Sequence, residues 1–265
     1  MTEFYVAPAL KEALGGDVSF DMFMNMPGEV FREIASRRTV RFQAGAKSYF
    51  VKAHRGVGWV EILKNLCTLR LPVLGAMNEW RAIRRLEAAG IRAPMIAAYG
   101  RRGRNPAAMD SFLVTEDVGQ AVSLEDHCGR WPENPPGFSD KQALLREVAL
   151  ISRALHQSGV NHRDYYLCHF LCPLSGADRR LVLIDLHRAQ VRRKVPRRWL
   201  IKDLGGLYFS AMDIGLTRRD LLRFLKIYRD RPLREVLSVE ADFWAAVVER
   251  ARRLYAKPVP RPPSG

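Results

Sequence analysis

The sequence predicts a bilobal α+β fold, with a small β-rich N-terminal lobe at residues 1–117 and a mainly helical C-terminal lobe at residues 118–256, around a cleft. Three observations predict it. Short alternating runs bounded by Gly and Pro crowd the first half of the chain. Beyond Gly137 the apolar residues recur at helical spacing. Between two such helical stretches lies a polar turn, Asn161 to His169, followed by the apolar run Leu181 to Ile184, which reads as a strand ending on Asp185.

Composition limits the partners more than the fold. The chain has 265 residues, enough for one sizeable core or two lobes, and 48% hydrophobic with 27% charged residues is ordinary for a globular protein. A net charge of +15 is not ordinary and implies an acidic partner: nucleic acid, an anionic membrane, an acidic substrate or an acidic protein. Met1 to Phe20 lacks a basic segment followed by an apolar core, so no signal peptide is expected. No uncharged apolar run is long enough to span a bilayer. Four scattered cysteines then suit free thiols in a reducing cytoplasm. Cys168, His169 and Cys172 have no second ligand pair to complete a zinc site.

Taken in order, Met1 to Met26 is an apolar-polar leader whose Phe20, Met22, Phe23, Met24 and Met26 are expected to cover one edge of a sheet. Strands follow at Glu29–Ile34, Thr39–Phe42 and Ser48–His54, the last two joined by a turn at Ala44–Lys47. In the third strand the period of two puts Phe50 and Lys52 on one face and Tyr49 and Val51 on the other. Residues 59–71 read as an inserted helix, apolar on most faces. Asn78–Gly90 is the clearest helix of this half, with Asn78 as N-cap and Gly90 as stop. Glu79, Ile83 and Leu86 share a face there, so Glu79 needs a cation, and Lys52 is the natural candidate. Ile91–Gly100 and Ser111–Val118 read as two more strands around a basic loop. Ser123 caps a helical turn, the pattern is helical to Gln157, and Thr217–Tyr255 is amphipathic helix. Residues 257–265 read as a disordered, Pro-rich tail.

The polar turn contains His162-Arg163-Asp164. Two acids near a strand end suit phosphoryl transfer, in which one orients an alcohol and accepts its proton while the other holds the magnesium that offsets phosphate charge. With Lys52 and Glu79 upstream, the set matches the strand-lysine to helix-glutamate pair that holds ATP phosphates.

These residues, with Tyr49–Trp59, Asn78–Ile83, Ser111–Asp117, Asn161–Phe170 and Ile184–Arg188, resemble the lipopolysaccharide core heptose (I) kinase family, a branch of the protein-kinase-like fold. The resemblance covers most of Val30 to Ser210. It implies an ATP cleft between the lobes and ATP-dependent phosphorylation of the first heptose of the inner core, at position 4, on a lipid A–core acceptor. It places the enzyme in the cytoplasm, peripheral to the inner membrane, with ATP and Mg as cofactors. By position, Lys52 would hold the phosphates and Glu79 would hold Lys52. Glu116 and Val118 would meet the adenine through backbone groups. Asp164 would be the catalytic base, with His162 and Arg163 beside it. Asp185 would ligate magnesium, and Asp203 would cap the next helix and brace the catalytic loop.

Several residues depart from the protein-kinase pattern. The turn at Ala35–Arg38 has no glycine, so Arg37 or Arg38 is left to supply charge toward phosphate. His169 stands where protein kinases have a metal-binding Asn. Imidazole is a poor ligand for magnesium, so His169 is expected to hydrogen-bond a phosphate or the loop. Leu186-His187 follows Asp185 in place of Phe-Gly, and no Ala-Pro-Glu signature follows.

Arg188, Arg192, Arg193, Arg197 and Arg198 crowd the stretch after Asp185. Arginine forks suit the carboxylates and phosphates of an inner-core acceptor, or an anionic membrane surface. The charge also leaves room for an acidic protein that delivers an apolar group, such as acyl carrier protein, meeting Arg81, Arg84, Arg85, Arg101, Arg102 and Arg104 beside the 59–71 helix. Two other classes compete: a protein Ser/Thr/Tyr kinase using the same residues, and a non-catalytic basic binding protein. The second leaves the Lys52, Glu79, Asp164 and Asp185 set unexplained. No aromatic-interleaved RNA motif is present, and no nucleic-acid partner is expected.

Overall fold

The computed structural model describes residues 2–34, 36–56, 58–60, 75–175 and 178–256. The helix expected at 59–71 is outside the described residues from residue 61 onward, as are the tail at 257–265 and Ala35 of the glycine-free turn. The fold is α+β. The chain forms two compact units. The first comprises Met1–Ala88, Ala93–Gly119 and Asp185–Ala189; the second comprises Ala89–Arg92, Gln120–Ile184 and Gln190–Gly265.

The first unit is built on β1 (Thr2–Val6), β2 (Glu29–Ile34), β3 (Arg37–Ala44), β4 (Lys47–His54), β5 (Ile96–Arg102) and β6 (Asp110–Glu116). They pair antiparallel in the order β1-β5-β6-β4-β3-β2. Because side chains alternate across a strand, one face is apolar: Val40 and Phe42 of β3, Tyr49, Val51 and Ala53 of β4, Phe112 and Val114 of β6. It is covered by α1 (Pro8–Ala13) and α2 (Phe20–Met24), through Leu10, Phe20, Phe23, Met24 and Met26. Phe23 stacks on Phe112 at 4.8 Å between centroids. Gly100 permits this packing, since a Cβ there would come within 2.4 Å of the Phe112 ring. The leader is therefore not a loose cover. It contains an edge strand, β1, which pairs with β5; its residues are nearly all exposed, so no alternation betrays it.

The opposite face carries Arg37, Thr39 and Arg41 of β3 and Phe50, Lys52 and His54 of β4, directly cross-paired. Here α3 (Met77–Ala88) buries Glu79, Ala82, Ile83 and Leu86. The helix starts at Met77, so Asn78 lies inside it and is not its N-cap. β5 begins at Ile96 and runs through Arg102, later at both ends than expected. Pro94 has no N–H to give a ladder, and Arg101 and Arg102 are strand residues with acidic neighbours.

The second unit is mainly helical: α4 (Leu124–Cys128), α5 (Phe138–Gln157), α6 (Arg197–Ser210), α7 (Arg218–Arg229), α8 (Leu233–Val239) and α9 (Ala241–Tyr255). α5 packs on α7, and α6 packs on α9. Leu204, Tyr228, Val236, Phe243, Trp244 and Val247 form one core. The amphipathic stretch after Thr217 is three helices. Asp230 ends α7 in a left-handed conformation (φ 55°), Pro232 follows, and Glu240 separates α8 from α9. Thr217 and Asp220 form a capping box at the start of α7. An apolar cavity of about 260 Å³ lies among these helices, walled by Leu145, Val148, Leu204, Leu207, Phe224 and Trp244. Short strands complete the unit: β7 (Ala121–Ser123), β9 (Phe170–Pro173) and β10 (Val182–Leu183) in one sheet, β8 (Val160–Asn161) and β11 (Gln190–Val191) in another.

Candidate active site

Lys52 and Glu79 meet. The Lys52 Nζ donates to Glu79 Oε1 at 2.5 Å, and the Glu79 side chain is 5% exposed. The pairing follows from the two periods read in the sequence. Lys52 is on the polar face of β4, and Glu79 is on the inward face of α3. Among the described residues Glu79 Oε2 accepts no hydrogen bond. A buried carboxylate so placed holds an ammonium against the sheet face.

His54 shares that face and is buried. Loss of hydration, with Arg37, Lys52 and His187 nearby, pushes its pKa down from 6.5 to about 3. The unfolded chain protonates His54 near pH 6.5, and the folded chain resists until about pH 3. Its contribution to stability is therefore complete above pH 6.5 and is lost as pH falls through that window. The loss amounts to at most about 1.4 kcal/mol per pH unit. Denaturant midpoints at pH 7 and pH 5 should drop more in the wild type than in His54→Gln; equal drops would contradict this account.

Glu116 and Val118 stand at and just beyond the end of β6. The Glu116 carboxylate accepts from Lys47 Nζ at 2.9 and 3.0 Å, and its N–H donates to the Met95 carbonyl at 2.8 Å. Asp117 pairs with Arg41 at 2.8 Å. Of the two arginines offered for the glycine-free turn, both lie in β3, and Arg38 is tied to the Met26 carbonyl and Glu33.

Asp185 belongs to the first unit. The strand before it is shorter than expected: β10 ends at Leu183, and Asp185 is left-handed (φ 61°), opening a short 3-10 turn at Leu186–Arg188 that packs against α3. Asp185 Oδ1 meets His187 Nδ1 at 2.5 Å. No signal in the sequence singled out His187 as this partner, though a residue two positions on is within reach after such a turn. Arg188 lies in the same turn.

In the second unit the His162-Arg163-Asp164 turn is held by Asp203. Asp203 is not an N-cap, since it lies inside α6 and is fully buried. Its Oδ2 accepts the His162 N–H at 2.7 Å and its Oδ1 accepts the Arg163 N–H at 2.9 Å. His156 Nε2 approaches Oδ2 at 3.4 Å, while its Nδ1 meets the Tyr228 hydroxyl at 2.8 Å. The grip is needed because Arg163 has φ 77°, a conformation that L-residues rarely adopt. Gly159 permits the entry: it has φ 82°, and a Cβ would strike the Arg192 carbonyl oxygen at 1.9 Å.

The His162 Nε2–H donates to the Ile184 carbonyl at 2.9 Å, one residue before Asp185 in sequence. The His169 Nδ1–H donates to the Asp164 carbonyl at 2.6 Å. Of the two roles expected for His169, the bond to the loop is the one seen. The two imidazoles stack with centroids 5.5 Å apart. Asp164 is thus carried on a turn whose backbone is bonded at His162, Arg163 and Asp164.

The arginine run is sorted by the fold. Arg192 is half-buried, with Nη1 on Asn161 Oδ1 and Nη2 on Gln190 Oε1, both at 2.5 Å. Arg193, Arg197 and Arg198 are exposed. Of the other basic group, Arg84, Arg101 and Arg102 pair with Glu87, Glu3 and Asp21. Among the described residues no cluster of three metal-ligating side chains occurs and no helix is long and apolar enough to cross a membrane. Cys128, Cys168 and Cys172 are free thiols.

A strand lysine held by a helix glutamate, a His-Arg-Asp turn braced by a buried aspartate, and an aspartate after a short strand define a kinase of the protein-kinase-like class, a user of ATP. The family model described as "Lipopolysaccharide kinase (Kdo/WaaP) family" matches residues 21–228, and the chain belongs to that family. "Lipopolysaccharide core heptose(I) kinase WaaP" of Pseudomonas aeruginosa PAO1 is 50% identical over 251 residues, covering 93% of this chain and 94% of the relative. The protein of the same name from Escherichia coli K12 is 48% identical over 253 residues, covering 92% and 96%. A solved structure titled "WaaP in complex with acyl carrier protein" superimposes with a TM-score of 0.81 at 44% identity, over 96% of this chain and 99% of that one.

Proposed function

We propose that this protein transfers the γ-phosphoryl group of ATP to a heptose hydroxyl of the lipopolysaccharide inner core, at position 4 of the first heptose, on a lipid A–core acceptor. The observation that carries the reading is the Lys52–Glu79 pair together with the Asp203-braced His162-Arg163-Asp164 turn, in a chain half identical to curated core heptose(I) kinases. The N-terminal lobe is taken as residues 1–117 and the C-terminal lobe as 118–256.

Lys52 holds the α/β-phosphates and Glu79 keeps its ammonium directed. The backbone groups of Glu116 and Val118 meet the adenine edge. Asp164 orients the heptose hydroxyl and accepts its proton late in the transfer, while His162 and Arg163 hold its turn. His169 fixes the Asp164 carbonyl. Asp185 is the chain's ligand for magnesium. The Asp185 side chain, 32% exposed, is a hard oxygen donor that would suit magnesium. The ion would supply charge to offset that of the transferring phosphoryl group. Arg188, Arg192, Arg193, Arg197 and Arg198 bind the acceptor's anionic groups. Asp203 is the structural brace that positions the His162-Arg163-Asp164 turn.

The same reading places the enzyme in the cytoplasm, peripheral to the anionic face of the inner membrane. It also gives it an acidic partner, acyl carrier protein. A net charge of +15 supplies the attraction, and the 260 Å³ apolar cavity of the second unit offers room for an acyl chain.

Incubation with γ-labelled ATP and a phosphate-free lipid A–core acceptor tests the function, with protein and RNA as alternative acceptors. Label is expected on the core acceptor alone. Label on protein with none on the core would overturn the proposal. Intact mass spectrometry of the same preparation checks the partner, and an active, soluble preparation with no small acidic protein attached would remove it as a requirement.

A further inference from the structure

Trp199, in α6, is ringed by cations. The guanidinium carbons of Arg163, Arg198 and Arg192 lie 5.3, 5.4 and 5.7 Å from its ring centroid, and the Lys202 ammonium lies at 5.4 Å. All four are within cation–π range of one ring. They converge from three places: the catalytic turn, the exit of β11 and the first turns of α6.

Arg192 shows how the cluster is held. Its two forks are fixed by neutral acceptors, Asn161 and Gln190, which set its direction and leave its charge uncompensated. Burial, and then the charge of Arg198, lowers its pKa. Among the described residues neither Arg192 nor Arg198 forms an ion pair with a carboxylate. The Trp199 indole N–H is also buried and donates to no acceptor among them. An oxyanion satisfies such an arrangement, and arginine forks select planar or phosphate oxygens.

The cluster is also registered to the chemistry. Trp199, Lys202 and Asp203 stand at i, i+3 and i+4 and share one face of α6. Asp203 grips the N–H groups of His162 and Arg163, so the face that carries the cluster also carries the turn. Arg163 belongs to both, one residue before Asp164.

We propose that Arg192 and Arg198, gathered with Arg163 and Lys202 on Trp199, form an anion subsite that holds a phosphate or carboxylate substituent of the acceptor in register with Asp164. This rests on the acceptor reading above and divides the arginine run. Arg192 and Arg198 belong to the subsite. Arg193 has no such contact, and Arg197 lies instead over Phe243, at 5.6 Å.

Two measurements on the full chain test it. With the nucleotide site filled by a non-hydrolysable ATP analogue, inorganic phosphate should raise the thermal midpoint of the wild type and of Arg193→Gln, and should fail to do so in Arg198→Gln and Trp199→Leu. In the transfer reaction, Arg198→Gln should raise the acceptor KM about tenfold while the ATP KM and kcat stay within about twofold, whereas Arg193→Gln should raise the acceptor KM by no more than about twofold. Equal behaviour of Arg198→Gln and Arg193→Gln in either measurement overturns the subsite. Phosphatidylglycerol vesicles separate the sources: if Arg198→Gln loses vesicle binding with its acceptor KM unchanged, the anion is a headgroup and the assignment to the acceptor fails. If the phosphate response is lost in Arg198→Gln but the wild type transfers nothing to the core, the subsite stands and the proposed function falls.

Discussion

Asp164→Ala should lower kcat by about 10²–10⁴-fold, with the fold retained in the circular dichroism. The chemical half of this expectation comes from the role proposed for the carboxylate, to position the acceptor hydroxyl and take its proton. The structural half comes from the way the turn is held. His162 N–H and Arg163 N–H rest on Asp203, and the Asp164 carbonyl accepts from His169. All of these Asp-turn contacts use main-chain atoms, so removing the Asp164 side chain leaves them in place. Steady-state kinetics with saturating ATP and acceptor reads the effect. Near-wild-type turnover in a folded variant would remove Asp164 from the site.

Asp203→Ala should be damaging in a different way. The substitution strands two buried N–H donors, each at about 1–3 kcal/mol, and releases a residue held in a left-handed conformation. The thermal midpoint should drop by several degrees, as a loss of a few kcal/mol does in a chain of this size. A merely structural role would end there. A positioning role requires more: in the fraction that stays folded, kcat should fall by about 10²-fold while the ATP KM holds, because the turn moves and the Lys52–Glu79 pair proposed to hold the phosphates does not. Asp203→Asn keeps the shape of the side chain and one acceptor, so it should retain much of the stability and lose kcat. Unchanged kcat in Asp203→Asn, with Asp203→Ala merely less stable, would reduce the residue to a core contact.

The residues proposed for the chemistry were legible because short-range patterns place them. A period of two put Lys52 on the polar face of β4, and a period near 3.6 put Glu79 inward on α3; an acid and a base facing the same surface then had to meet. The His-Arg-Asp turn is contiguous and its residues are chemically distinctive. What depended on distance was not legible. Asp203 reaches His162 and Arg163 across about forty residues of sequence, and a lone Asp before a helix-like run looks like a cap. The edge strand β1 has almost no buried face and so no alternation. Asp185 was placed on a strand end because its run is β-like, but two residues of ladder suffice before the chain turns left-handed. The arginine run was visible as charge. Which of its members gather on Trp199 depends on the meeting of β11, α6 and the catalytic turn, and composition carries no trace of that.

The central claim is that a core heptose receives the phosphoryl group. The most direct measurement is phosphorus–proton correlation by NMR on the oligosaccharide released after the wild-type reaction. The account predicts one new phosphomonoester whose phosphorus couples to H-4 of the first heptose, absent from the Asp164→Ala reaction. A product whose new phosphorus couples to no heptose proton would contradict it.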